Sequence, residues 1–322
     1  MPRLSIILPV YNVEEYIEEC FQSLVKQIDG DVEVICIDDG STDNSGKICD
    51  QYAEKYVAFR VLHSINKGVG AARNLGFSIA KGDYIAWCDP DDYVAENWYI
   101  GIKHILRKKP DIGIFDYVVF DTNKQETITY MQKEGFLEKK QFLLDVVEDI
   151  KIQSQLWQKV FKRELLEKVR FPENVKCMED YAILHKLILQ AEKIYYLPDA
   201  LYNYRKRNNG LVMAIDIGKS FDCYKIATKR YRDLQKAHYD VSSIGFLMQA
   251  MGVCIQFAKS GESNRLLFVN ENKECENVIR KNLFRIMKSN IQIREKIKFG
   301  VIALGLHHTV MKVYKKLGGI KC

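Results

Sequence analysis

Three carboxylates fall within four positions at Asp89-Pro90-Asp91-Asp92, directly behind the apolar run Tyr84–Cys88. Like charges this close repel, and a bound divalent cation is one arrangement that offsets the repulsion. Mg²⁺ and Mn²⁺ are hard ions that take oxygen ligands, and one or two carboxylates plus phosphate oxygens usually suffice. Asp89 and Asp91 stand at i and i+2 of a tight turn after a strand, so both side chains can converge on one ion. The plain alternative is a solvated type I turn, which Asp at i and Pro at i+1 suit well. Asp92 reads as a cap of the next helix or a brace of the loop.

Similar polar groups end three other apolar runs: Tyr11-Asn12, Asp38-Asp39-Gly40-Ser41 and Asn66-Lys67-Gly68. Alone, Asp38-Asp39 reads equally as an acidic Asx turn. Gly68 and Gly70 permit close backbone approach to a ligand, or simply a helix entry. The loop lacks Gly-Lys-Ser/Thr, so a P-loop is not supported. Glu179-Asp180 opens a helical segment, where the helix dipole by itself favours acids. Arg73 is either a ligand contact or half of a helix-surface ion pair. His63 and His185 read as ordinary strand-end and helix histidines, and no Ser–His or Cys–His constellation offers an enzyme nucleophile. Nine cysteines without a Cys-x-x-Cys pair indicate neither a zinc site nor a disulfide framework.

The elements that must position these groups alternate strand and helix over the first ~120 residues, at the spacing of βαβ units. Leu4–Val10, Val32–Ile37, Phe59–His63 and the run ending at Cys88 are strands. A helix follows the first, with Asn12 as N-cap and Glu15 three residues on. Another, through "GAARNLGFSIAKG", closes at Gly82, and "IGIFDYVVF" is a further strand. Strands apolar on both faces and linked by helices predict an α/β fold, a mostly parallel sheet covered by helices on both sides. Ligands of such sheets bind beyond the carboxyl ends of the strands. The four polar clusters all lie on that rim. From ~150 to ~210, helices and short extended pieces are expected to cap one side of it.

Together, "SIILPVYNVEEYIEECFQSLVKQ", "VICIDDGSTDNSGKICDQYA", "NKGVGAARNLGFSIAKGDYIAWCDPDD" and "MEDYAILHKLI" resemble the family 2 glycosyltransferases, most of all bacterial enzymes of capsular and other surface polysaccharides. The resemblance covers roughly residues 3–205, with the four motifs in the expected order. It implies a GT-A fold and an inverting transfer from a nucleotide-sugar. It implies that Pro9, Val10 and Tyr11 line the base slot, with Tyr11 stacked on the base. Asp39 then accepts the base's ring N–H, which favours uracil and hence a UDP-sugar, with Asp38 in support. Arg73 lies near base and phosphates. Asp89 and Asp91 form the Asp-x-Asp pair that meets ribose and the Mn²⁺ or Mg²⁺ on the diphosphate. Asp180 is the general base, and Glu179 beside it positions the acceptor. Trp157, Lys159, Arg205 and Arg207 are candidate acceptor or diphosphate contacts, set against core packing for the tryptophan and a solvated basic patch for the arginines. The sequence departs from its relatives at Gln158, where those with Trp-Asn-Lys have Asn, and at Gly210, where many have Ser.

Two other functions share parts of this pattern. A sugar nucleotidyltransferase would carry a Gly-x-Gly-x-Arg loop after the first strand, where "PVYNVEEY" stands instead; a non-catalytic nucleotide-sugar binder would not need Asp180. Length allows one large domain or two ordinary ones among 322 residues. The expected division is a catalytic domain over 1–210 and a helical, basic region over 211–322. In the latter, lysines flank "FGVIALGLHHTVMKVY", a pattern suited to a membrane surface or a second subunit, as in a homodimer. Such docking would bring the site to a lipid-linked saccharide acceptor. A net charge of +6 is modest, and no nucleic-acid partner is expected. Thiols buried in apolar runs, with neither signal peptide nor spanning helix evident, predict a cytoplasmic protein, peripheral on the inner face of the membrane if its tail docks there.

Overall fold

The computed structural model describes residues 3–121, 124–148, 152–173, 175, 177–207 and 216–309. The chain divides into two compact units, one of Met1–Val175 with Glu179–Gly210, the other of Lys176–Met178 with Leu211–Cys322.

The first unit begins as the apolar pattern predicts. Strands β1 (Leu4–Val10), β2 (Val32–Asp38), β3 (Phe59–His63) and β4 (Tyr84–Trp87) alternate with helices α1 (Ile17–Val25), α2 (Ser45–Lys55) and α3 (Val69–Ile79). These four strands pair in parallel in the order β3-β2-β1-β4. All seven residues of β2 are buried, and Ile6, Leu8 and Cys36 are wholly enclosed. Covering both faces of the sheet is what tolerates such continuous apolar strands. Phe21 of α1 meets Tyr52 of α2 edge-on at 4.8 Å and Phe59 of β3 at 5.2 Å, which fixes both helices over one face.

Beyond β4 come β5 (Tyr93–Val94), α4 (Trp98–Arg107), β6 (Ile112–Phe120), β7 (Gln125–Ile128), β8 (Gly135–Leu137) and α5 (Lys139–Glu148). They are followed by β9 (Lys159–Lys162), α6 (Arg163–Leu166), α7 (Glu179–Gln190) and β10 (Ile194–Arg205). The sheet continues β4-β9-β6-β10-β5, with β7 on β6 and β8 on β10, to ten strands in all. Here it becomes mixed. β9 runs antiparallel to both β4 and β6, while β6 and β10 are parallel. The α/β sheet flanked by helices is as expected, but it is mixed rather than mostly parallel, because the later strands insert antiparallel between and beside the parallel ones; the parallel β3-β2-β1-β4 part carries the four polar rims.

Two local expectations are corrected. Asn12 does not cap α1, which starts at Ile17 after a turn. It sits instead at φ 50°, and its Oδ1 accepts from Thr42 N at 2.8 Å, tying the end of β1 to the loop after β2. Asn tolerates this left-handed conformation because its short amide bonds locally. Gly82 does not close α3, which ends at Ile79; its N–H donates to Ser5 Oγ on β1.

The second unit is helical in its described residues: α8 (Ile217–Lys236), α9 (Ile244–Lys259), α10 (Glu262–Leu267), α11 (Val269–Lys288) and α12 (Ile293–Ala303). Tyr224, Leu247, Met251, Ile279, Ile286 and Phe299 form its core. No described helix is long and apolar enough to cross a membrane. Gly210 and the tail beyond residue 309, which carries the last five residues of the lysine-flanked segment, lie outside the described residues.

Candidate active site

The chemistry gathers at the carboxyl ends of the parallel strands. Asp89 follows β4, Arg73 projects from α3, and Glu179 with Asp180 opens α7. Arg73 Nη2 lies 3.2 Å from Asp89 Oδ1, while Nη1 donates to Glu179 Oε1 at 2.7 Å and to Asp180 Oδ1 at 2.5 Å. One guanidinium thus joins the acidic turn to the acidic helix start. Arg73 is 3% exposed and held by three carboxylates, so it is not a helix-surface ion pair. Its outer face packs on Phe171, 5.5 Å from the ring centre.

Three carboxylates against one cation leave an excess of negative charge in a desolvated place. Burial lifts the Asp180 carboxyl, Arg73 pulls it down, and Glu179 and Asp89 push it up again, for a net rise to about 7. Asp89 is raised for the same first reason, burial, with Asp91 adding to it. Burial opposes the charge on Arg73, but Asp180, Asp89 and Glu179 outweigh it and hold the proton more firmly than water does. A carboxylate poised near neutrality is suited to general-base work.

The acidic turn is braced from β10. Asp92 is 2% exposed and accepts from Tyr202 Oη at 2.9 Å and from Arg205 N at 2.7 Å. Asp89 N donates to the same Tyr202 oxygen at 3.0 Å. Burial pushes Asp92 well above the usual carboxylate range. Asp92 therefore holds the loop and leaves Asp89 and Asp91 to face outward. Each of those two has one oxygen engaged, Asp89 by Arg73 and Asp91 by Arg207 Nη2 at 2.5 Å. Their other oxygens carry no hydrogen bond among the described residues. Two hard, part-exposed carboxylates two positions apart fit a Mg²⁺ or Mn²⁺ ion completed by phosphate oxygens.

The nucleotide-side rim is equally tied down. Tyr11, 46% exposed, stands just past β1, whose last residues Pro9 and Val10 pair with Ile37 and Asp38. Asp39 accepts from Lys67 N at 2.8 Å and Gly68 N at 2.7 Å, so it fixes the loop that enters α3. That loop needs Gly68, whose φ of 90° is unfavourable for other residues. Asp38 accepts from Ser41 N and from His63, and His63 also reaches Asp50 at 3.0 Å. Hydrogen bonds to Asp38 and Asp50 raise the His63 pKa. His63 is thus a brace of the rim rather than an ordinary strand-end histidine. Gly70 approaches the chain itself and not a ligand: a Cβ there would stand 2.4 Å from Pro172 O.

The remaining candidates are engaged by the protein's own groups. Trp157 is buried, stacked on Tyr202 at 4.6 Å and on Tyr204 at 5.4 Å, so core packing claims it. Lys159 is wholly buried at the start of β9, and its ammonium donates to Gln153 O and Gln155 O. Burial draws both side chains into the protein's own packing and hydrogen bonds, while the charge of Lys159 still acts on Asp180. Gln158 joins them by donating to Gln153 O at 3.3 Å. Arg205 is stitched to Asp91 O at 3.0 Å and to the Glu19 carboxylate, with its guanidinium 4.7 Å from the Phe120 ring centre. Arg205 and Arg207 thus both remain at the acidic turn, Arg205 on its backbone and Arg207 on the Asp91 carboxylate. Sequence reasoning missed Tyr202, which lay in a region read only as helices and short extended pieces.

The pattern of the family described as Glycosyl transferase family 2 matches residues 5–172, slightly more than half the chain and all of the rim except Glu179-Asp180. The chain belongs to that family. Glycosyltransferase GlyG of Streptococcus pneumoniae serotype 4 is 34% identical over 250 residues, covering 74% of this chain and 83% of that one. The poly(ribitol-phosphate) beta-glucosyltransferase of Bacillus spizizenii is 37% identical over 229 residues, 66% of this chain; the match spans 34% of that longer protein. Among solved structures, residues 1–349 of S. aureus TarS in complex with UDP-GlcNAc align at a TM-score of 0.67 and 20% identity, covering all of this chain and 93% of that one. That likeness shows the fold, GT-A. The protein is a glycosyltransferase.

Proposed function

We propose that this glycosyltransferase moves a sugar from a UDP-sugar to a hydroxyl of a saccharide acceptor, with inversion, in a single displacement. The observation that carries the reading is the Arg73 junction: Asp89, Glu179 and Asp180 share one buried guanidinium, and Asp180 is lifted to about 7. Asp180 takes the proton of the attacking hydroxyl, while Arg73 fixes the direction of its carboxylate. Glu179, held by the same nitrogen, orients the acceptor. Asp89 and Asp91 hold the dication, with Arg207 poised at the same turn for the departing diphosphate. A bound Mg²⁺ or Mn²⁺ supplies the positive charge that such a leaving group needs. Tyr11 offers an exposed ring to the base, and Asp39, whose oxygens retain lone pairs beyond the two backbone donors, reads the ring N–H. One displacement needs no enzyme nucleophile.

The chemistry named for the relatives, glycosylation of a poly(ribitol-phosphate) among them, supports an acceptor in surface-polymer synthesis; that the acceptor is carried on a lipid is part of the proposal. Exposed Phe284, Met287, Ile293 and Ile297 lie among the exposed cations Lys281, Arg285, Lys288, Arg294 and Lys298 of α11 and α12, a composition suited to an anionic membrane surface. Incubation with a panel of UDP-sugars and Mn²⁺ tests the reaction. UDP release, accelerated by acceptor, supports transfer; pyrophosphate release would mean nucleotidyl transfer, and binding without turnover a sensor. Flotation with vesicles containing anionic lipid, reduced in Phe284→Asp/Ile297→Asp, tests the surface; equal flotation of both proteins would dismiss it.

A further inference from the structure

We propose that Glu276, His307 and His308 form a second, separate cation site in the C-terminal helical unit, one that takes Zn²⁺. Glu276 belongs to α11, and the two histidines follow α12 after the turn at Leu304–Leu306. A ligand atom from each of the three lies within 4.8 Å of the others, and no other such group occurs among the described residues. His307 is 4% exposed, yet neither of its ring nitrogens makes a hydrogen bond. Its Nε2 stands 3.4 Å from Glu276 Oε1 without the geometry of a hydrogen bond. Burying an imidazole with both nitrogens unsatisfied is costly, and a metal ion would engage one of them.

The surroundings hold the donors in place. Asn272 Nδ2 donates to Glu276 Oε1 at 2.6 Å, and Arg280 lies 3.5 Å from the other oxygen while its Nε donates to Ala303 O at 2.8 Å. The His308 ring lies 4.2 Å from that of His307 and meets Phe257 edge-on at 5.2 Å. Groups that orient a ligand in this way are a recurrent part of metal sites. Two imidazoles and one carboxylate, with water as a fourth ligand, are a borderline-soft set suited to zinc. Mg²⁺ and Ca²⁺ prefer oxygen alone, so the set does not duplicate the Asp89–Asp91 pair. A bound ion would fasten the turn after α12 to α11 and stabilise the unit by mass action.

The test uses the full-length chain, stripped by chelation and held in excess Mg²⁺ so that oxygen-only sites are filled. Titration with Co²⁺ is expected to give one equivalent of a four-coordinate visible spectrum without thiolate charge transfer, displaced by Zn²⁺. Zn²⁺ should raise Tm, and His308→Gln and Glu276→Gln should each weaken binding by roughly tenfold or more, as loss of a ligand does at minimum. His307→Gln should abolish it; since that residue is buried, the part-exposed His308 supplies the variant expected to fold. Absence of binding at micromolar Zn²⁺, or equal binding by wild type and His308→Gln, would overturn the site. A thiolate-to-cobalt band would reassign the ion to Cys177 and Cys223, whose sulfurs approach to 3.0 Å, and would equally overturn it.

Discussion

Arg73 and Asp180 stand 107 residues apart in the chain and meet through a 2.5 Å hydrogen bond. The same guanidinium holds Glu179 and Asp89, so the candidate base and the candidate metal turn are coupled through one side chain. Removing it would leave three acids facing one another with little water. Arg73→Met is expected to lose about 3–5 kcal/mol, the usual cost of orphaning a buried charge. Without the guanidinium the folded pKa values of Asp180 and Asp89 rise further above their unfolded ones. The deficit should therefore grow as pH rises from about 4 to beyond 7, by the linkage relation. Urea unfolding at pH 5 and pH 8 checks this; an equal deficit at both would contradict the charge argument.

Asp180 must lose its proton to serve as base. With its carboxyl raised to about 7, kcat/KM should climb with pH below that value and level off above it. Asp180→Asn should lower the rate by about 10²–10⁴-fold while UDP binding stays nearly intact. The same shift acts on stability in the opposite sense: a folded pKa above the unfolded value favours the fold at low pH, and that contribution fades between about 4 and 7. Stopped assays across pH 5–9, paired with UDP titration by calorimetry, separate the two effects. Full activity in Asp180→Asn would end the assignment.

Asp91→Ala should abolish metal-dependent turnover, because leaving-group stabilisation worth several kcal/mol goes with the dication. Wild-type activity should vanish with EDTA and return with Mn²⁺ or Mg²⁺. Activity of Asp91→Ala that still responds to Mn²⁺ as the wild type does would place the metal elsewhere.

Tyr202→Phe removes the hydroxyl that bridges Asp92 Oδ2 and Asp89 N. Two buried groups lose a partner, for a loss of about 1–3 kcal/mol. Because Asp89 then shifts, the Mn²⁺ concentration for half-maximal activity should rise as well. Thermal unfolding together with a metal titration reads both, and an unchanged metal response would mean that Tyr202 only stabilises.

Much of this was legible before any coordinates. β1 and the nine-residue β6 fall on the apolar runs read from the sequence, because alternation and continuous burial leave strong local signals. The acidic turn and the four polar rims were equally visible. β9 was not: Lys-Val-Phe-Lys is too short and too polar at its ends to announce a strand, and only its neighbours β4 and β6 make it one. The burial of Trp157 and Lys159 was hidden for a related reason. Their types suit ligand contacts, but stacking on Tyr202 and Tyr204, and backbone carbonyls at Gln153 and Gln155, draw them inward.

By itself the sequence determined the order of strands and helices, the acids that end them and the family to which the chain belongs, since each is written in contiguous residues. Tertiary structure alone decided that Arg73 neutralises acids from two distant segments. It also decided that Tyr202 carries the acidic turn, and that His307 and Glu276 meet. Those outcomes depend on which surfaces become dry together, and the strength of a charge or a hydrogen bond follows from that dryness more than from the residue's name.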